Sequence, residues 1–305
     1  MSRIMLGKLH ALAVLFAAGV VLSACNRGAP EPDAAEVEAG RENVEAMAGE
    51  HVDDTTDPSP GAEVAPARDV IAESRLPYAE SGDELVYGHF AAPSDVFEPL
   101  PALIVIHEWW GLNDNVRAMA DRLAGEGYMV LAVDLYGGKI AATPEEARAL
   151  MLEVVEDPEP ARENIRAAYQ FLMTAGAPRI GSVGWCFGGG WSLNTAMMFP
   201  EELDATVIYY GAVTDDADKL LPIASPILGL FGAEDTGIKV ESVESFRATL
   251  QRLRKVHEVH IYPGAGHAFA NPTGNNYNAK VAEDAWERTT EFLARHLLPA
   301  ESDGT

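Results

Sequence analysis

The sequence predicts an α/β fold with a mainly parallel central sheet and helices on both faces. Three observations predict it. Strand-length apolar runs alternate with longer stretches of helical spacing from about residue 85 to residue 297. The run Ala102–His107 is continuously apolar up to its histidine, as a strand buried on both faces is. Reactive side chains recur just after predicted strands, where open α/β sheets carry their sites.

Taken in order, Leu85–Phe90 reads as the first strand and Ala102–His107 as the second. Asn113–Gly125 sets Val116, Met119, Ala120 and Leu123 on one side of a helix and charged residues elsewhere. Tyr128–Val133 is the next strand. Pro144–Val155 and Arg162–Thr174 are helices divided by the proline-bearing turn Asp157–Pro160. Ile180–Trp185 is a strand, Gly188–Met198 a helix, and Ala205–Tyr210 and Pro226–Phe231 are strands. Val240–Arg254 is a helix, Val256–Tyr262 a strand and Asn278–Leu297 the closing helix. No internal repeat is visible, and the repeated β-α-β order favours parallel crossovers.

Upstream of this domain, taken as residues 71–300, the composition changes twice. Residues 1–24 read as an export signal: Arg3 and Lys8, then the apolar stretch Leu9–Val21, too short for a comfortable membrane span, then Leu22, Ser23, Ala24 and Cys25. That ending resembles the lipobox of bacterial lipoproteins. The resemblance implies cleavage before Cys25, acylation of its sulfur and new amine, and a lipid-anchored protein in the bacterial cell envelope, on the outer membrane or its periplasmic face. An ordinary signal peptide ending near a cysteine is the alternative. Residues 25–70 are rich in Ala, Pro, Glu and Asp with few large apolar side chains, a composition that buries too little surface to order itself. They read as an acidic tether, with spacing for one short helix at Ala34–Met47.

The formal net charge of −25 excludes nucleic acid as a partner, because that function needs a basic face. A monomer is expected. Neither a metal cluster nor a nucleotide loop stands out, so no cofactor is expected: Gly188–Gly190 lacks the Lys-Ser/Thr of a phosphate loop. The chain has two cysteines, Cys25 and Cys186. If Cys25 carries lipid, Cys186 has no partner for a disulfide, and a lone thiol in an oxidising compartment is either used or buried.

Cys186 lies in Gly184-Trp-Cys-Phe-Gly188-Gly189, between a predicted strand and a predicted helix. Small-x-nucleophile-x-small is the spacing of a sharp strand–turn–helix elbow. The following helix aims its N–H groups at the sulfur and favours thiolate over thiol. Two further strand ends supply a carboxylate, Asp235, with Glu234 as an alternative, and an imidazole, His267. Nucleophile, acid, histidine is the chain order of the α/β-hydrolase fold, and a thiolate needs such a base with such an orienting acid. A fourth strand end brings Glu108, which would repel a thiolate and could share a proton with it.

In total the pattern resembles the dienelactone hydrolases. The matches are His107-Glu108-Trp-Trp-Gly111-Leu-Asn, Asp134-Leu-Tyr136-Gly, the Cys186 elbow, Tyr209-Tyr210-Gly211, Asp235, and Gly264-Ala-Gly-His267-Ala-Phe269, in order from about residue 75 to residue 298. The resemblance implies an α/β-hydrolase fold and hydrolysis of a small-molecule ester or lactone through an acyl-cysteine. Cys186 would be the nucleophile, His267 its base and Asp235 the orienting acid. Glu108 would hold the resting thiol and take its proton when substrate binds. The backbone N–H groups of Phe187 and Trp109 would form the oxyanion hole. Where the family's reference enzymes carry an arginine for the substrate carboxylate, four residues after the histidine, this chain has Asn271; Arg148 stands in the stretch of a second family arginine. Trp110 and Tyr136 complete the expected substrate contacts.

Blander readings stand beside these. Cys186 could be a buried structural thiol, Asp235 a helix N-cap, Glu108 half of an ion pair, and Trp109 and Trp110 core packing. A thioester or carbohydrate-ester substrate, or a non-catalytic binding module on the same fold, is the alternative function.

Overall fold

The computed structural model describes residues 34–51, 65–82, 84–96 and 98–299. The export signal, Cys25 and the remaining tether positions lie outside the described residues. Among the described residues no helix is long and apolar enough to cross a membrane.

Eight strands form one sheet: β1 (Val70–Ser81), β2 (Glu84–Pro93), β3 (Ala102–Ile106), β4 (Met129–Val133), β5 (Ile180–Trp185), β6 (Ala205–Tyr209), β7 (Ile227–Gly232) and β8 (His257–Tyr262), in the order β1-β2-β4-β3-β5-β6-β7-β8. β1 and β2 are antiparallel, β2 runs antiparallel to β4, and the rest is parallel. Every residue of β3, β4, β5, β6 and β7 is buried, which is why those runs read as continuously apolar.

Connecting helices are α2 (Asp114–Gly125), α3 (Pro144–Glu156), α4 (Glu159–Thr174), α5 (Phe187–Met198), α6 (Ala217–Leu220), α7 (Val240–Arg252) and α8 (Ala279–Leu297), and α1 (Ala34–Glu50) precedes the sheet. From β3 the chain steps to β4 on one side, then returns to β5 on the other. Right-handed crossovers therefore put α2 on one face and α4, α5 and α7 on the opposite face. α8 shares the face of α2, where the Arg122 guanidinium lies 3.7 Å over the Trp286 ring. The reversal leaves a crevice beyond the C-terminal ends of β3 and β5, which pair from Ala102↔Ile180 to Ile106↔Gly184. Glu108 and Cys186 follow those two ends.

The α/β-hydrolase architecture is present as expected, with differences at the edges. β1 was absent from the sequence reading because it is an edge strand, mostly exposed, carrying Glu73, Arg75 and Glu80 and two register shifts around Pro77, so it shows no alternation. α4 begins at Glu159 rather than Arg162, because proline is tolerated in a first helical turn. The largest difference is α1. The short helix expected at Ala34–Met47 forms and runs to Glu50, but composition placed it in a self-solvating tether and it packs against α3 instead. Val44, Met47 and His51 are buried there, and the catalytic domain supplies the apolar surface that the segment lacks alone.

Candidate active site

The elbow is built from backbone contacts that only glycine permits. A Cβ on Gly184 would overlap the Gly188 carbonyl, and one on Gly188 would overlap the carbonyls of Ile106 and His107. So β5, α5 and the end of β3 close on one another, and Cys186 is held at φ 57°, the left-handed region, at the N-terminus of α5. Its N–H donates to Tyr209 O at 3.0 Å, and Gly189 N–H closes the turn onto Cys186 O at 2.9 Å. Across the crevice Gly111 N–H closes a second turn onto Glu108 O at 3.3 Å. The N–H groups of Phe187 and Trp109 lie outside those turn bonds, on the residues that follow the thiol and the carboxyl.

His267 and Asp235 meet behind the thiol. The imidazole Nδ1 is 2.8 Å from Asp235 Oδ2, with both side chains fully buried. The other oxygen, Oδ1, accepts from the N–H groups of Gly237 (2.9 Å) and Ile238 (2.7 Å). Asp235 thus caps a turn with one oxygen and orients the imidazole with the other. His267 Nε2 has no hydrogen bond in this arrangement, so its link to Cys186 is electrostatic rather than a formed bond. Burial alone would lower the imidazole pKa, but the charges of Cys186 and Asp235 overcome it and hold His267 well above its usual range. Burial likewise pushes the thiol up, and His267 with His51 reverses that and brings Cys186 to about 6. Both shifts favour a thiolate beside an imidazolium over a neutral thiol and imidazole.

Glu108 is buried beside them. Its Oε2 accepts from Asn271 Nδ2 at 2.6 Å and its Oε1 from the Tyr210 hydroxyl at 3.3 Å. Burial, then the Cys186 charge, raise its pKa to about 8, which favours the protonated form at neutral pH; its hydrogen bonds go to Asn271 and Tyr210, in place of the expected hold on a resting thiol. Asn271 is therefore a holder of Glu108, and its own oxygen accepts from Thr273. His107 ties the β3 and β4 ends together: Nε2 accepts from Leu135 N–H at 3.1 Å and Nδ1–H donates to Glu108 O at 2.6 Å, a pairing that requires the neutral ring. Tyr136 and Trp110 are buried at the same crevice, and the Tyr136 hydroxyl and Trp109 Nε1 are buried without partners. Arg148 is not brought to the thiol; it lies half-exposed on α3 and pairs with Glu45 of α1.

Two residues came into the site that the sequence reading did not place there. Met47 Sδ is 3.5 Å and His51 Nε2 is 3.9 Å from Cys186 Sγ. His51 also stacks on Trp109, with ring centroids 4.6 Å apart. The helical spacing of Val44, Met47 and His51 was the available signal. Among the described residues, His51, Cys186 and His267 place ligand atoms within 4.8 Å of one another. Two of the three, Cys186 and His267, are the residues expected as nucleophile and base, and a metal held there would occupy both.

Comparison with known proteins gives a consistent result. A protein of Saccharolobus solfataricus named "Putative carboxymethylenebutenolidase" is 35% identical over 234 residues, covering 65% of this chain and 90% of that one. A protein of the same name from Escherichia coli K12 is 31% identical over 242 residues, covering 75% and 89%. The solved structure of a "Putative Dienelactone Hydrolase" from Klebsiella pneumoniae superposes with a TM-score of 0.66 at 27% identity, covering 75% of this chain and all of the other. Residues 86–297 match the dienelactone hydrolase family, and that match runs from within β2 to the end of α8 and holds every group of the site except Met47 and His51. The chain belongs to the dienelactone hydrolase family.

Proposed function

We propose that this hydrolase opens ester or lactone bonds of a small molecule through an acyl-cysteine on Cys186, from a lipid-anchored position in the bacterial envelope. The observation that carries the reading is the buried Asp235–His267 pair at 2.8 Å behind a cysteine held at φ 57°. The Cys186 thiolate adds to the carbonyl carbon, and the Phe187 and Trp109 N–H groups receive the developing oxyanion. Collapse expels the alkoxide, which takes its proton from His267; in a lactone the new hydroxyl stays on the acyl chain. His267 then deprotonates a water that attacks the thioester, and the thiolate leaves. The raised pKa of Glu108 supports its role as a nearby proton store that does not oppose the thiolate at neutral pH.

A neutral ester or a thioester is the favoured alternative substrate class, because Asn271 binds Glu108 and Arg148 binds Glu45 instead of presenting a cation to a carboxylate. Turnover of aryl esters by wild type, Cys186→Ala and Cys186→Ser tests the mechanism; full activity in Cys186→Ala refutes it. A panel of anionic lactones against neutral esters and thioesters separates the substrate classes, and a strong preference for carboxylate-bearing lactones rules out the alternative. Palmitate labelling lost in Cys25→Ala tests the anchor.

A further inference from the structure

We propose that residues 34–51 are a built-in latch that shuts the active site, so that acyl transfer requires α1 to leave. The proposal rests on the reading of Cys186 as the nucleophile and concerns the regulation of that site.

The obstruction is steric. Cys186 and His267 are fully buried. Behind Glu108, Tyr210 and Asn271 a pocket of about 10 Å³ holds one water at most; neither Cys186 nor His267 lines it, so it offers no way to the thiol. A larger cavity of about 990 Å³ exists elsewhere, between the β1–β2 hairpin and α4, but none of the four catalytic side chains lines it. An ester cannot reach the thiol while α1 is seated. The groups in its way belong to α1 and the residue that follows: Met47 against the sulfur, and His51 over Trp109 and beside His267.

The helix is held mainly by polar contacts at its surface. Contacts run along its length. Gly40 meets α3 so closely that a Cβ there would lie 2.6 Å from Val155 Cγ1. Arg41 pairs with Glu156 at 2.6 Å, and Glu45 pairs with Arg148. At the far end the Glu50 carboxylate accepts from the N–H (3.1 Å) and hydroxyl of Thr236, the residue after the orienting acid Asp235. These outer contacts are exposed polar pairs, individually weak and sensitive to salt. The buried part is small: Val44, Met47 and His51. A segment held in this way is fastened in one register and still able to detach.

The test uses the full chain and reads alkylation of the peptide that carries Cys186, so that Cys25 does not contribute. Wild type, Met47→Asp, which places a charge in the buried contact, and Gly40→Trp, which forces α1 off α3 far from the thiol, are treated with iodoacetamide at neutral pH, below the melting transition of each. The latch predicts a rise of at least tenfold in the alkylation rate of either variant. Rates within twofold of wild type in both variants overturn it. Aryl-ester turnover is measured in parallel. A rise in alkylation without esterase activity in any form supports the latch and sinks the proposed reaction instead.

Discussion

Replacing Glu108 with glutamine should stabilise this protein at neutral pH, by an amount the site geometry sets. The carboxyl has an ordinary pKa of 4.5 and is raised by burial to about 8 in the fold. Below pH 4.5 it is protonated in both states and contributes nothing to the pH dependence. As pH rises, the unfolded chain releases the proton first and native stability falls; the fall ends near pH 8, where the native carboxyl ionises too. At pH 7 the difference spans 2.5 pKa units, roughly 3 kcal/mol. Glutamine keeps an oxygen for the Asn271 amide and cannot ionise, so Glu108→Gln lacks this slope. Urea unfolding of both proteins at pH 4.5, 5.5 and 7 reads the effect, because titrating groups that do not interact with Glu108 cancel in the difference; Cys186, the largest charged partner, is removed by repeating the series on a Cys186→Ala background. The difference should grow with pH in favour of the variant, apart from a constant offset. A pH-independent difference, or one that grows against the variant, would show that Glu108 is ionised in the fold, and the proton-store reading would fail.

Three further substitutions address the rest of the site. Asp235→Asn keeps the Oδ1 bonds to Gly237 and Ile238 but turns an N–H toward His267; ester turnover should fall roughly 10³-fold, and a loss under threefold refutes the orienting role. Gly188→Ala drives a Cβ into the carbonyls of Ile106 and His107; destabilisation of more than about 4 kcal/mol is expected, seen as insoluble or low-melting protein, and wild-type melting refutes it. His51→Ala removes a ring that draws the thiol pKa down; thiolate absorbance at 240 nm, corrected with Cys186→Ala, should show the Cys186 midpoint rising above about 6, and an unmoved midpoint excludes His51 from the electrostatics of the site.

Much of this arrangement was legible in the sequence, because the relevant signals are local. Strands buried on both faces read as unbroken apolar runs, and the elbow's glycines recur at fixed spacing about Cys186, although the contacts that require Gly188 come from Ile106 and His107. The strand-end positions of Asp235, His267 and Glu108 follow from the same alternation. What escaped depends on contacts that no local pattern carries. β1 is an exposed edge whose pairing comes from β2. Asn271 sits where a cation was sought, and its amide holds Glu108, a residue 163 positions away in the chain. α1 reads as solvated because most of its face is, and only Val44, Met47 and His51 record that it rests on something.

Cys186, Tyr210 and Ala268 share a property with a practical consequence. All three have positive φ without being glycine, and all three stand at or next to the reactive groups. A backbone held this way is less stable by about 1–3 kcal/mol per residue than a relaxed one. Directed evolution for heat resistance alone would therefore gain most readily at Ala268, where glycine removes only a methyl group, whereas at Tyr210 the cavity left by the buried ring costs more than the relaxed backbone returns; either change would loosen the geometry that aims the imidazole or the tyrosine. Thermostable variants of this chain should be selected with a turnover filter, and these three codons are the ones to protect when a library is designed.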